Sequence, residues 1–323
     1  MIGNTATAVY VDTVEIAPAE ARELLLAEGF AVRSAVASTP ADVLAAAAGA
    51  DALLVGDSPV TAGVIAGLAG RLRIISAVTV GVDHIDLEAA RAAGIWVTNV
   101  PDATTEEVAV TALAMALSLV RHVPFLDRQV RAGGWDAFAT GRRRRPSCLT
   151  LGIVGLGRIG RHMAGLSTPI FGRVCAFDPA PVAPWPGGVE RLELRDVLAE
   201  ADVVSLHLPA LPGEPPLIDA EAIARMRHGA LLVNVSRGAL VDTDALLAAL
   251  EDGRLGGAGL DVVAGEPPPI DALVRRHPRV VLTPHAAFWS DEAEAASYAR
   301  QAANVVSWKR DGRPLTAVVE GRP

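Results

Sequence analysis

Three side chains of this 323-residue chain have the types needed to reduce a carbonyl beside a carboxylate. They are Arg237 in Asn234-Val235-Ser236-Arg237-Gly238, Glu266 in Glu266-Pro267, and His285 in Thr283-Pro284-His285. That chemistry requires a proton for the carbonyl oxygen, a cation for the carboxylate, and a hydride donor held over C2. Histidine exchanges a proton near neutrality without a large perturbation, which makes His285 the candidate acid/base. Glu266 would hydrogen-bond the second ring nitrogen and stabilise the imidazolium. The planar fork of Arg237 suits a carboxylate and would also polarise C2. Each residue alone has a plainer reading: a satisfied structural histidine, a solvated loop acid ahead of three prolines, a surface ion-pair partner. It is their combination that points to chemistry.

A hydride donor needs a seat, and the segment 151–160 reads as one. Leu151-Gly152-Ile153-Val154 runs straight into Gly155-Leu156-Gly157-Arg158-Ile159-Gly160, followed by a helical stretch. Gly155 permits the tight turn, Gly157 lets the backbone approach a pyrophosphate, and Gly160 lets the helix pack on the strand. Asp178, 18 residues past Gly160, ends the next strand and would take the ribose hydroxyls of the adenosine. A carboxylate there repels a 2′-phosphate. Residues 179–190 contain no basic side chain, so the expected cofactor is NAD.

The elements that position these groups alternate between short β-branched runs and longer alanine- and leucine-rich stretches, the pattern of parallel sheets covered by helices. Strands are expected at 9–11, 52–55, 73–76 and 95–98, with helices at 18–28 (stopped by Gly29), 40–48, 61–68 and 87–93. Residues 104–131 read as one long helix broken by Pro124. A second series follows, with strands at 151–154, 174–177, 203–207, 231–235, 259–262 and 280–282, and a final helix over 291–309. The arginine run 142–145 reads as a solvated connector.

Composition narrows the classes further. A net charge of −8 disfavours nucleic acid as a partner. Cys148 and Cys175 cannot form a disulfide framework, no CxxC pair is present to hold zinc, and no metal site is expected. The amino terminus shows no secretory pattern, and the longest apolar run, 108–120, is too short to span a membrane. These features lead us to expect a cytoplasmic protein without membrane partners.

The order of the segments resembles the D-isomer-specific 2-hydroxyacid dehydrogenases over nearly the whole chain. Besides the segments above, the resemblance includes Gly259-Leu260-Asp261-Val262, Val80-Gly81-Val82-Asp83-His84-Ile85-Asp86, Asn99-Val100-Pro101 and His207-Leu208-Pro209. In motif detail it is similar to the C-terminal-binding-protein-like and phosphoglycerate-dehydrogenase-like branch. The resemblance implies that Arg237, Glu266 and His285 are catalytic. It implies that Gly155, Gly157, Arg158, Ile159, Gly160, Asp178, His207, Pro209, Val235 and Asp261 line the cofactor, with Asp261 on the nicotinamide carboxamide. Val80, Gly81 and Val82 look like its carboxylate cradle, where the plain alternative is a simple turn. Phe288 either caps an apolar substrate tail or packs in the crevice.

Some positions depart from the family's pattern. Val110 stands where an acid is usual, and Pro212, Pro215 and Pro216 fill a loop that usually carries threonines. Glu266 stands where formate dehydrogenases have glutamine, and Val80 where phosphite dehydrogenase has lysine.

The expected fold is α/β: a Rossmann cofactor domain at 100–285 and a discontinuous flavodoxin-like substrate domain at 1–99 and 286–323, both doubly wound parallel sheets, with an interdomain cleft. The expected activity is hydride transfer between NAD(H) and C2 of a small D-2-hydroxy or 2-keto acid. Two alternatives stay open: an NAD(H)-responsive corepressor-like binding protein, and a dehydrogenase of an unusual acid such as a phosphonate analogue. The apolar helix near 104–121 is expected to support a homodimer, with burial inside the monomer as the competing reading.

Overall fold

The computed structural model describes residues 5–14, 19–141, 143–180, 183–211 and 213–322. Pro18, Arg142 and Pro212, named above, lie outside the described residues. The chain divides into two compact units, Met1–Thr104 with Ser290–Pro323, and Thr105–Trp289.

In the first unit the elements run β1 (Thr7–Asp12), α1 (Ala19–Ala27), β2 (Ala31–Val36), α2 (Pro40–Ala46), β3 (Ala52–Val55), α3 (Ala62–Leu68), β4 (Ile74–Ala77), α4 (Leu87–Ala93) and β5 (Trp96–Thr98). The strands form one parallel sheet in the order β2-β1-β3-β4-β5. Strands covered on both faces read as nearly continuous apolar runs, as Ala-Leu-Leu-Val in β3 does. The two-residue period then sorts the side chains. Val9, Val11, Leu53 and Val55 enter one core layer, while Ala8, Tyr10, Ala52 and Leu54 enter the other.

Strand β2 was not expected from the sequence. It is an edge strand with mostly exposed residues, and Arg33 and Ser34 interrupt any apolar pattern. Gly29 and Gly94, with φ of 75° and 69°, terminate α1 and α4 as left-handed caps.

The second unit begins with α5 (Thr105–Val120) and α6 (Val123–Arg131). The sequence reads as a single broken helix, and the break is a bend of 62°. Pro124 has no N–H and its ring clashes with the carbonyl four residues back, while His122 turns the chain with φ 55°. Then come β6 (Thr150–Val154), α7 (Arg158–Ser167), β7 (Arg173–Phe177), β8 (Val189–Arg191), α8 (Leu194–Glu200), β9 (Val203–Leu206), α9 (Ala220–Arg225), β10 (Ala230–Asn234), α10 (Thr243–Glu251), β11 (Leu255–Leu260), α11 (Leu273–Arg276) and β12 (Val280–Leu282). All seven strands are parallel, in the order β12-β11-β10-β9-β6-β7-β8.

Helix α5 buries Val108, Ala112, Met115 and Leu119 in the same core layer as Leu151, Ile153 and Met163. Its apolar stripe is therefore consumed within its own unit. Strand β11 starts four residues before its expected position because Gly256 and Gly257 belong to it. A Cβ on Gly256 would lie 2.5 Å from the carbonyl oxygen of Gly229, and one on Gly257 would lie 3.1 Å from that of Arg279. In the arginine run, Arg144 pairs with Asp202 at 2.7 Å and Arg143 donates to Ala137 O at 2.7 Å, so these two are anchored rather than merely solvated.

The last helix, α12 (Asp291–Asp311), packs on α1 and β4 of the first unit, and Val319 beyond it bridges Val97 of β5. Among the described residues no single helix is long and apolar enough to cross a membrane.

Candidate active site

The sheet of the second unit switches direction between β6 and β9. In open parallel sheets a ligand crevice forms at such a point, outside the carboxyl ends of the strands. The β6–α7 turn lies there. Gly155 has φ 99°, and a Cβ on it would sit 2.5 Å from the carbonyl oxygen of His207. A Cβ on Gly160 would sit 1.9 Å from Gly155 O. Both glycines are therefore demanded by the protein's own packing. Gly157 differs, because a Cβ there would meet nothing within 4 Å, which leaves its backbone open to an approaching group.

Asp178 closes this turn from the end of β7. Its Oδ2 accepts from Leu156 N at 2.6 Å and its Oδ1 from Ala180 N at 2.8 Å. A carboxylate has about four acceptor positions, so capacity remains for hydroxyl donors. Arg158 opens α7 in an exposed position, and Ile159 packs on the core. Sequence reasoning missed Arg161, which donates to Leu156 O at 3.1 Å and to Pro184 O at 2.7 Å and so ties the turn to the segment after Asp178.

His207 follows β9, with Nε2 2.9 Å from Ser205 Oγ, while its Nδ1 is buried without a hydrogen-bond partner among the described residues. Burial pushes its pKa down to about 4, so the ring is neutral. Pro209 is exposed, and Val235 is buried immediately after β10. An open Gly157, an orphaned imidazole nitrogen and a carboxylate with spare acceptor capacity fit a bound dinucleotide.

The three candidate catalytic residues follow three neighbouring strands. Arg237 comes after β10, Glu266 after β11 and His285 after β12, so their loops leave the same carboxyl end of the sheet, with about 4.8 Å between adjacent strands. Asn234, fully buried, stages the first loop by donating to Arg237 O at 2.8 Å and accepting from Ser236 N at 3.0 Å. The next residue, Gly238, presses on the second loop: a Cβ there would lie 2.0 Å from the carbonyl carbon of Val263. Val263 N in turn donates to Glu266 Oε1 at 2.8 Å, and Glu266 Oε2 lies 2.7 Å from His285 Nδ1. A continuous set of contacts thus runs from the Arg237 loop to the imidazole. Arg237 Nη1 itself donates to Ser236 O at 2.8 Å.

Asp261 is only 2 % exposed, and its carboxylate is occupied by the protein itself. Oδ1 accepts from Thr283 Oγ1 at 2.5 Å and Ala286 N at 2.9 Å, and Oδ2 from Ala287 N at 2.9 Å. The sequence offered no signal for this anchoring role, because the donors lie 22 to 26 residues away. Phe288 stands edge-on to His285, with ring centroids 6.4 Å apart, and is 48 % exposed. Val110 is also largely exposed; beside it, Thr111 Oγ1 reaches Ala287 O at 3.4 Å.

Val80, Gly81 and Val82 belong to the first unit. Asn99 Nδ2 donates to Val80 O at 2.7 Å and Thr79 Oγ1 to Gly81 O at 2.6 Å, which fixes the loop through its carbonyls.

Comparison with known proteins adds four matches. Residues 113–287 match the NAD binding domain of the D-isomer specific 2-hydroxyacid dehydrogenases. The chain is 38% identical over 254 residues to a D-3-phosphoglycerate dehydrogenase of Mycobacterium tuberculosis, covering 78% of this chain and 48% of that protein. It is also 38% identical over 260 residues to a glyoxylate reductase of Korarchaeum cryptofilum, covering 77% of each. Among solved structures, the TT0316 protein of Thermus thermophilus superposes with a TM-score of 0.86 at 36% identity, covering 97% of this chain and all of that one. The chain spans less than half the length of the Synechocystis and mycobacterial phosphoglycerate dehydrogenases that it matches.

Proposed function

The chain belongs to the family of D-isomer specific 2-hydroxyacid dehydrogenases, and on that premise we propose that it moves a hydride between NAD(H) and C2 of a small D-2-hydroxy or 2-keto acid. The observation that carries the proposal is the 2.7 Å contact between His285 Nδ1 and Glu266 Oε2, on loops at the same carboxyl end of the sheet as the open Gly157 turn.

When bound, the dinucleotide supplies or accepts the hydride. Gly155, Gly157, Gly160 and Asp178 would hold its pyrophosphate and ribose, and Arg158, Ile159, His207, Pro209 and Val235 would line it. The carboxylate at Asp178 favours a free 2′-hydroxyl, hence NAD. Asp261 would reach the carboxamide only with acceptor capacity left over from its three donors.

The remaining work falls to the chain's own side chains. Glu266 accepts a hydrogen bond from Nδ1–H and so fixes the imidazole with Nε2 presented to substrate. In reduction, the imidazolium gives its Nε2 proton to the keto oxygen as C2 receives the hydride. In oxidation, the neutral Nε2 takes the hydroxyl proton. The Arg237 guanidinium holds the carboxylate and draws electron density from C2. The Val80–Val82 loop, with two carbonyls engaged, offers its amide edge to a carboxylate. Phe288 is the candidate for contacting a substrate's apolar tail.

Two further features complete the proposal. The chain works as a homodimer, paired through α6 and the segment after it. Helix α6 has no buried residue, and beyond it Trp135 and Phe138 are 90% and 85% exposed. Its free thiols suit a cytoplasmic setting.

The test is an NADH-oxidation screen over glyoxylate, pyruvate, hydroxypyruvate, aromatic 2-keto acids and a phosphonate analogue. Turnover with at least one 2-keto acid, and faster with NADH than with NADPH, is expected. No turnover with any of them would overturn the proposal.

A further inference from the structure

The first unit also contains a cavity that the dehydrogenase chemistry does not use. In its sheet order, β2-β1-β3-β4-β5, the chain passes from β1 to β2 on one side and then crosses back to β3 on the other side of β1. The crevice expected of a doubly wound sheet therefore lies outside the carboxyl ends of β1 and β3. A cavity of ≈ 200 Å³ opens there, walled by Tyr10, Asp12, Val36, Leu54, Tyr298 and Gln301. It exceeds the roughly 150 Å³ of an engineered cavity that admits benzene.

Its polar atoms are arranged for a guest. Gln301 is 1% exposed, and its amide is oriented by two donations from Nε2, to Val55 O at 3.1 Å and Ser76 O at 2.8 Å. Oε1 is left buried with no partner among the described residues, and so is the hydroxyl of Tyr10, a residue 6% exposed. Buried polar atoms are nearly always hydrogen-bonded, so two orphans in the wall of one cavity mark a place for donors from outside the described residues.

The charges around the cavity select the sign of the guest. Asp12 Oδ1 accepts from Thr13 N at 2.6 Å and Asp57 N at 3.4 Å, while Oδ2 lies over Gly56, where a Cβ would be only 1.6 Å away. Asp12, Asp57 and Glu294 all act on Tyr298 with negative charge. Arg22, the cation that acts on Tyr10, is tied to Val32 O and Ser34 Oγ. Acceptors and negative charge thus dominate, and two tyrosine rings in the wall add an attraction for cations. An anion would face a carboxylate and an amide oxygen.

We infer that this cavity binds a small primary ammonium ion carrying a short alkyl group. Such an ion has three N–H donors, matching Gln301 Oε1, Tyr10 Oη and the Asp12 carboxylate, and its alkyl part would lie against Val36 and Leu54.

The test is isothermal titration calorimetry on the full chain with n-butylammonium chloride, against sodium butyrate and n-butanol at constant ionic strength. Saturable one-to-one binding of the ammonium ion is expected, with both controls at least tenfold weaker. Asp12→Asn should weaken it at least tenfold. Tyr10→Phe should also weaken it while raising the melting temperature of the ligand-free protein, since it deletes an orphaned hydroxyl; this variant decides the matter if Asp12→Asn fails to fold. No saturable binding, equal binding of butanol, or unchanged affinity in Tyr10→Phe would overturn the inference and leave the cavity to water. None of these outcomes bears on turnover of 2-keto acids.

Discussion

The backbone N–H of His285 donates to the carbonyl oxygen of Asp261 at 2.8 Å, while His285 holds a left-handed conformation with φ 53°. Such a conformation costs a residue with a Cβ roughly 1–2 kcal/mol, so something must hold it. Here the Asp261 carboxylate does so, by gathering Thr283 Oγ1 and the N–H groups of Ala286 and Ala287 on either side of the histidine. Asp261 sets where the imidazole stands, and Glu266 sets which way it is turned.

Asp261→Asn tests that division of labour. The amide has one accepting oxygen in place of two and sets an NH2 group against donors. Stability in urea should fall by about 1–3 kcal/mol, and kcat by roughly tenfold or more as the imidazole loses its position. Unchanged kcat in a folded variant would show that the turn does not depend on this carboxylate.

The two leading glycines of the nucleotide turn should separate folding from binding. Gly155→Ala places a Cβ 2.5 Å from His207 O at a φ of 99°, and should cost more than about 1 kcal/mol of stability. Gly157→Ala meets open space and should leave stability within about 0.5 kcal/mol of the parent. Its NADH affinity, followed by fluorescence titration, should nevertheless fall roughly tenfold, because the Cβ would stand in the path proposed for the pyrophosphate. Equal affinity in Gly157→Ala would place the dinucleotide elsewhere.

His207 makes stability depend on acidity. Its pKa is lowered from 6.5 to about 4 by burial. Above pH 6.5 neither the folded nor the unfolded form of this side chain carries the proton, and its contribution is fully present. As pH falls from 6.5 toward 4 the unfolded chain takes up a proton that the folded one refuses, so stability declines, by up to roughly 3 kcal/mol. Below about 4 the contribution is flat. Urea titrations at several pH values should show His207→Asn losing less stability than the parent across that window. An identical slope would mean that the ring is not buried neutral.

The exposed aromatics after α6 bear on assembly. Replacing Trp135 and Phe138 together by glutamate should shift the chain from dimer to monomer in sedimentation equilibrium, with the melting temperature of the monomer little changed, because neither side chain packs within its own unit. A parent protein that is already monomeric would remove the basis for the proposed interface.

Much of this architecture could be read from residue order, because the groups involved act locally. The glycine turn, Asp178 and the strands that carry them are defined by neighbours within a few positions, and buried strands such as β3 announce themselves as apolar runs. What escaped depends on distant partners. Strand β2 exists because β1 offers it an edge, and its own residues carry no pattern. The three-residue strand β8 was missed in the same way, being the outermost strand beside β7. The start of β11 at Leu255 depends on how closely neighbouring backbones pass Gly256 and Gly257. The helix expected to mediate pairing, α5, proved to be core, since β6 and α7 supply the apolar surface that covers it. In the site, Glu266 and His285 were identified as partners, whereas Arg161 and the anchoring donors of Asp261 were visible only in three dimensions.

The central claim is that His285 carries the proton that accompanies hydride transfer. Stopped-flow oxidation of bound NADH by the best 2-keto acid from the screen, in parent and His285→Asn, tests it directly, with NADH affinity measured in parallel. The rate of the chemical step should fall on the order of 10²–10⁴-fold while NADH affinity stays within about twofold. A His285→Asn enzyme that oxidises NADH at the parental rate would contradict the account.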